Sequence, residues 1–200
     1  MKRCGLLACA ALLCALPAHG EDLLPQGVLS ALTPVDSLPS KDTLNDVFAT
    51  PQLALDNLQS LALNRNIDLG IQLRAIGSLP SYCPPEPQPC GPGSAVHDTL
   101  IAFITSQQLV PHTPQDTLRL RAAIEALGAT RSRLRADVDT LIPLLDDASR
   151  DVRTAAVRAL LNICNMDAIA PLSRSYASER VAQVKAEISA AIQDLHRCSK

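Results

Sequence analysis

The chain has no tryptophan, and only two phenylalanines and two tyrosines among its 200 residues. Stacking platforms for bases or sugars need aromatic faces, so this scarcity argues against them. Positive charge is also short: 18 lysines and arginines stand against 20 acids. Neutralising phosphates requires a basic face, which argues against a nucleic-acid partner. Beyond the N-terminus no apolar run approaches the roughly eighteen residues of a membrane span. Alternating apolar and polar residues, the mark of half-buried strands, are nearly missing. There is no G-x-S-x-G, no H-E-x-x-H and no G-x-x-x-x-G-K, and the cysteines are not spaced C-x2-C. The expectation is therefore no catalytic residue, no cofactor and no metal.

The N-terminus has a definite grammar. Lys2 and Arg3 precede an apolar run over residues 4–16, which Pro17 ends. Ala18-His19-Gly20 then places small residues at −3 and −1 of a cut before Glu21. That order predicts a cleaved signal peptide over residues 1–20, and export to a bacterial periplasm or beyond the cell. Leu6-Leu7-Ala8-Cys9 loosely resembles a lipobox, but it follows Arg3 too closely, and Cys14 has bulky Leu13 before it. A lipid-anchored outer-membrane form is thus the weaker alternative. Without Lys2 and Arg3 the balance is 16 basic against 20 acidic side chains, net −4. About 180 residues suit one domain.

Residues 21–50 mix leucine and proline without a sustained period and predict an extended N-terminal arm. From residue 51 the pattern turns helical. In DDASRDVRTAAVRALLNIC, residues 146–164, the side chains Val152, Ala156, Ala159, Leu160 and Ile163 form one stripe of a 3.6-residue helix. The same stripe returns 32 residues later as Val184, Ile188, Ala191, Ile192 and Leu195. Related pairs start at 75, 126, 159 and 191, with intervals of 51, 33 and 32. A short apolar helix precedes each of the last two, IPLL at 142 and APLS at 170, with proline second in both. A period near 32 with paired helices predicts an all-α solenoid of about four hairpins over residues 51–198.

The I-P-x-L first helix, the D-x5-R connection from Asp147 to Arg153 and the V-R-x-x-A-V-x-A-L second helix at 152–160 resemble HEAT repeats. They are most similar to the short bacterial type also found in phycobilin-lyase-like proteins. The resemblance covers about residues 51–197. Glu179 and Lys185 replace the Asp–Arg pair in the last repeat, and Leu69 and Leu120 fall where arginine is expected. The resemblance implies a protein-binding scaffold without catalytic activity of its own, its partner another protein. It also implies an alternative, a chromophore- or small-molecule-handling enzyme on the same fold, though no active residue maps here. In the family the arginine of this connection reaches acids of adjacent turns. Asp147 and Arg153 are accordingly read first as a structural pair.

The excess of 18 residues in the first interval lies in SLPSYCPPEPQPCGPG. It predicts a Pro/Cys insertion loop over 80–94 rather than a fold element. Four cysteines follow the leader: Cys83, Cys90, Cys164 and Cys198. In an exported chain they predict disulfides. Of three connectivities, 83–90 and 164–198 suit the spacing best. Zinc is the sharper alternative, but only His196 lies near them. His97 is expected at the surface and His112 in a turn. Ser94 is expected to cap a helix over 95–107, and SRLRADVD at 132–139 to be a solvated helix start. The exposed row on the second helices includes Arg74, Glu125, Arg158 and Ala190. Arg74, Arg153 and Arg158 are the candidate partner contacts.

Overall fold

The computed structural model describes residues 26–34, 37–84, 90–108 and 113–198. The expected leader, His112 and parts of the arm and of the Pro/Cys loop lie outside them. The described residues form ten α-helices and no strand. These are α1 Gln26–Leu32, α2 Lys41–Phe48, α3 Pro51–Leu63, α4 Leu69–Ser78, α5 Ala95–Gln107, α6 Pro114–Ala129, α7 Arg135–Leu141, α8 Arg150–Ile163, α9 Ile169–Ser178 and α10 Ala182–Leu195. The expected all-α class and the stacked hairpins are both present.

Short sequence signals start the helices. Thr50-Pro51 and Thr113-Pro114 share one device. The threonine hydroxyl accepts an N–H of the first turn, from Leu53 at 3.1 Å and from Asp116 at 3.1 Å. The proline fills a position whose N–H has no helical acceptor. At α6, Asp116 accepts the Thr113 N–H in return, closing a capping box. Asp68 and Ser149 cap α4 and α8 through Ile71 and Val152.

Packing follows the repeat. The second helices α4, α6, α8 and α10 lie against one another in series, and the first helices α3, α5, α7 and α9 each pack on their own partner. Every residue of the α8 stripe is buried, as are Val184, Ile188, Ala191 and Leu195 in α10; Ile192 is half-buried. Each large aliphatic side chain so enclosed contributes about 1.5–3 kcal/mol, and it is the neighbouring hairpin that encloses it. Helices α6 and α8 approach closely. A Cβ added to Gly128 would lie 2.7 Å from the Cα of Ala159.

Two expectations need correction. Helices α1 and α2 occupy the stretch expected as an extended arm. Pro34 and Pro39 fall between them rather than within them. Val28, Leu32 and Leu44 are buried, with α1 against α4 and α2 against α3. Two-turn helices are too short to show a period, and tertiary packing supplies what propensity does not. The prolines at 143 and 171 are also not equivalent. Pro143 sits in a 3₁₀ turn, Ile142–Asp146, that directly follows α7, whereas Pro171 lies in the first turn of α9. Their spacing of 28 is not the period of 32.

Candidate interaction surface

The second helices expose one row of side chains. On α6, Arg121 Nε donates to Glu125 Oε1 at 2.8 Å, the two lying four residues apart. Between α8 and α10, Arg158 grips Glu187 with both arms of its guanidinium, Nη2 at 2.6 Å and Nε at 3.3 Å. The guanidinium holds the Glu187 carboxyl below its ordinary range. Arg158 is half-exposed, and this pair fixes the distance between two repeats at the surface.

Beside this row, between α4 and α6, lies a groove of about 490 Å³. Its walls are largely apolar, with Leu38, Leu73, Leu118 and Ala122 among them. Leu38 is 53% exposed and Leu118 42%. Arg121 and Glu125 line this groove and also a smaller one of about 160 Å³ that continues across α8 to Arg158 and Gln183. An apolar groove and a charged one thus run together, with the Arg121–Glu125 pair at their junction.

The three arginines expected as partner contacts do different things. Only Arg158 stands on the exposed row with more than half of its side chain open. Arg74 donates to the carbonyl oxygens of Leu32 and Thr33, and so ties the end of α1 to α4. Arg153 is 13% exposed. Its Nε donates to Glu179 Oε2 at 2.7 Å and its Nη2 to Glu179 Oε1 at 3.2 Å, while Nη1 reaches the carbonyls of Asp147 and Ala148. Glu179 also accepts the N–H groups of Arg180 and Val181 just before α10. Arg153 first, and these amides with it, hold the Glu179 carboxyl below its ordinary value of 4.5. Arg153 therefore joins α8 to the turn between α9 and α10 of the next repeat. Lys185, in the place of the repeat arginine, lies instead over the Tyr176 ring, 4.7 Å from its centroid.

A second buried rung lies one position from where the repeat would put it. Arg119, not residue 120, carries it. Its Nε donates to Gln72 Oε1 at 2.5 Å, and Gln72 Nε2 donates to the Ala62 carbonyl at 2.9 Å. Arg119 Nη1 and Arg65 Nη1 both lie 3.3 Å from Asp116 Oδ1. One buried chain of polar groups thus links α6, α4 and α3.

A family model described as HEAT repeats matches residues 106–193, from the last turn of α5 into α10. Over that segment the chain is similar to HEAT repeats. Such repeats generally mediate protein–protein interaction, and the family is typically a non-enzymatic scaffold. The hairpin of α3 and α4 precedes the matched segment and continues the same stack. Neither a curated protein nor a solved structure matches the chain.

His97 corrects another expectation. It is 4% exposed and stands between two carboxylates, with Nε2 2.8 Å from Asp137 Oδ1 and Nδ1 3.2 Å from Asp98 Oδ1. Asp137 is fully buried, and the Ser132 hydroxyl donates to its other oxygen. The 132–139 stretch is therefore only partly solvated: Ser132, Asp137 and Val138 face inward. The carboxylate next in the chain, Asp98, was visible in sequence; the closer one, Asp137, forty residues on, was not. This Ser–Asp–His order is not that of an acyl-transfer triad, because the hydroxyl meets the acid and not the imidazole. Its chemistry is that of a buried polar tie. Asp98 also accepts the Gly93 N–H, and the His97 contact first and this amide second lower its carboxyl below the ordinary range. Ser94 takes the N-cap position of α5, but its hydroxyl accepts no backbone N–H there.

The cysteines pair as the spacing suggests. Cys83 with Cys90 and Cys164 with Cys198 are at disulfide distance, with Cα separations of 5.2 and 5.6 Å that suit the bond. Among the described residues no three His, Cys, Asp or Glu side chains gather as metal ligands.

Proposed function

We propose that this chain is an exported scaffold that binds another protein along the face of α4, α6, α8 and α10. The observation that carries the reading is the apolar groove between α4 and α6, open through Leu38 and Leu118 and continuous with the charged strip at Arg121, Glu125 and Arg158. A partner segment with an apolar anchor and flanking charges fits both halves. The anchor covers exposed leucine, and the flanking charges exchange with surface ion pairs that cost little to open. Arg158, and Arg74, which lines the apolar groove while tying α1 to α4, are the expected partner contacts. Arg153 acts one step back, by holding α10 in register.

Export is supported by the charged, apolar and small-residue order of residues 1–20 and by two cysteine pairs at bonding distance. The typically non-enzymatic character of the family supports a binding role over catalysis.

The test is crosslinking and pull-down from the native envelope, followed by mass spectrometry of reduced and non-reduced samples. It reports the partner, the N-terminal residue and the disulfides together. Leu118→Glu puts a charge in the apolar groove without touching the core and is expected to abolish recovery of the partner. Full recovery with Leu118→Glu and with Arg158→Glu would overturn the reading.

A further inference from the structure

The edge where α6, α8 and α10 end carries a separate arrangement. A pocket of about 460 Å³ is lined there by Arg131, Arg133, Arg197, one acid, Asp194, Leu161 and the Cys164–Cys198 pair. Arg197 is paired with Asp194, Nη1 to Oδ1 at 2.9 Å. The guanidinium groups of Arg131 and Arg133 have no hydrogen-bond or ion-pair partner among the described residues. Among the described residues the pocket therefore carries two arginines with no counter-charge, in a chain whose net charge is −2.

The backbone that presents them is held under strain. Arg131 and Arg133 have φ of 50° and 58°, in the left-handed region that side-chain-bearing residues rarely occupy. Such strain persists only where surrounding contacts over-determine it, and it gathers at binding sites. Here the contacts are explicit. Ser132, between the two arginines, is 3% exposed and tied through Asp137 to His97. The Arg131 N–H donates to the Gly128 carbonyl at 3.1 Å. Asn165 Nδ2 donates to the Arg133 carbonyl at 2.8 Å. The residue after Arg197 is Cys198, bound to Cys164. An inward serine thus leaves an arginine on each side turned outward, and the cysteine pair brings the third alongside.

We infer that this pocket binds a carboxylate-rich segment of a protein partner, its acids spread over Arg131, Arg133 and Arg197. Planar guanidinium forks match carboxylates two bonds at a time. Leu161 and the cysteine pair provide an apolar wall for the methylenes of glutamate, which a bare oxyanion would leave wet. The helix ends on this edge oppose an anion through their carbonyls. Those carbonyls are already engaged by the N–H groups of Thr130, Arg131, Cys164, Arg197 and Cys198. The inference rests on the chain being a protein-binding scaffold, but it concerns a different surface from the α4–α6 groove.

The test is fluorescence anisotropy of labelled hexaglutamate with the full chain. Arg131→Asn with Arg133→Asn removes both charges with a residue that tolerates the left-handed backbone. The pair is expected to weaken binding at least about tenfold, as lost charge-assisted bonds require. Arg197→Gln, outside the strained loop, weakens it as well, while Arg121→Gln leaves it unchanged and hexalysine fails to bind. Absent hexaglutamate binding, binding indifferent to all three arginines, or displacement by inorganic phosphate at the same concentration as by free peptide would each overturn the assignment. If hexaglutamate fails while Leu118→Glu still abolishes partner recovery, only this inference falls.

Discussion

Gly128→Ala tests how closely the repeats approach. The added Cβ would sit 2.7 Å from Ala159 Cα and 2.9 Å from Ala159 Cβ. Carbon atoms rest about 3.5–4.0 Å apart, so α6 and α8 must separate by roughly 1 Å. Overpacking of this kind costs about 1–3 kcal/mol, toward the upper end here because the obstruction is backbone. Alanine returns at most about 1 kcal/mol of helix propensity. The net loss of about 1–2 kcal/mol lowers the melting temperature by about 2–8 °C for a chain of this length. Thermal unfolding followed by circular dichroism measures it.

Gly77→Ala is the matched control. Its Cβ meets only the side chain of Leu38, at 3.1 Å, and Leu38 is exposed enough to swing aside. That variant should melt at the wild-type temperature or slightly above. Adding Ala159→Gly to Gly128→Ala removes the contact at 2.9 Å but not the one at 2.7 Å, so only part of the loss returns. Gly128→Ala melting at or above wild type would refute the close approach of α6 and α8.

Two further outcomes follow from the polar ties. Arg153→Met leaves Glu179, whose side chain is 5% exposed, with two backbone amides and no guanidinium. It should cost about 3 kcal/mol in urea unfolding, as breaking a buried pair does, and Glu179→Gln beside it should recover part of that loss. Glu179, Glu187 and Asp116 all have carboxyls held below their ordinary values, the first two mainly by arginine and Asp116 mainly by the Thr113 hydroxyl. Groups lowered in the folded state contribute stability above their ordinary values, and that contribution is lost as pH falls through the folded ones. Melting temperature should therefore hold above about pH 5 and decline below it, and a flat profile down to about pH 3 would contradict these pairings.

The period was legible because each repeat must offer its neighbour the same apolar stripe. Val152 to Ile163 and Val184 to Leu195 show this 32 residues apart, and α8 and α10 have equal lengths of 14 residues. The caps Thr50-Pro51 and Thr113-Pro114 need only their own first turn, but the one cap expected from sequence, Ser94, takes its position without the bond. The helices α1 and α2 were not legible, since each offers too few core residues for a period to appear. Arg153 was singled out as a partner contact and as a pair with Asp147, but its placement against Glu179 was not visible. Helical spacing gives a face, and whether that face meets solvent or Glu179 depends on how the next hairpin leans. His97 shows the same limit. Its neighbour Asp98 was evident, but Asp137 reaches it only after α5 and α7 come together.

The sequence by itself determined the unit: amphipathic hairpins and their spacing. Both depend on interactions within one unit or on a stripe repeated between units. Only the tertiary structure decided which charges are spent inside the stack and which remain outside it. That choice turns on distances between residues twenty-six to forty-seven positions apart, such as Arg153 with Glu179, His97 with Asp137 and Arg119 with Gln72. A charged side chain reads the same in sequence whether water or a neighbouring carboxylate surrounds it, and only the packed helices supply the difference.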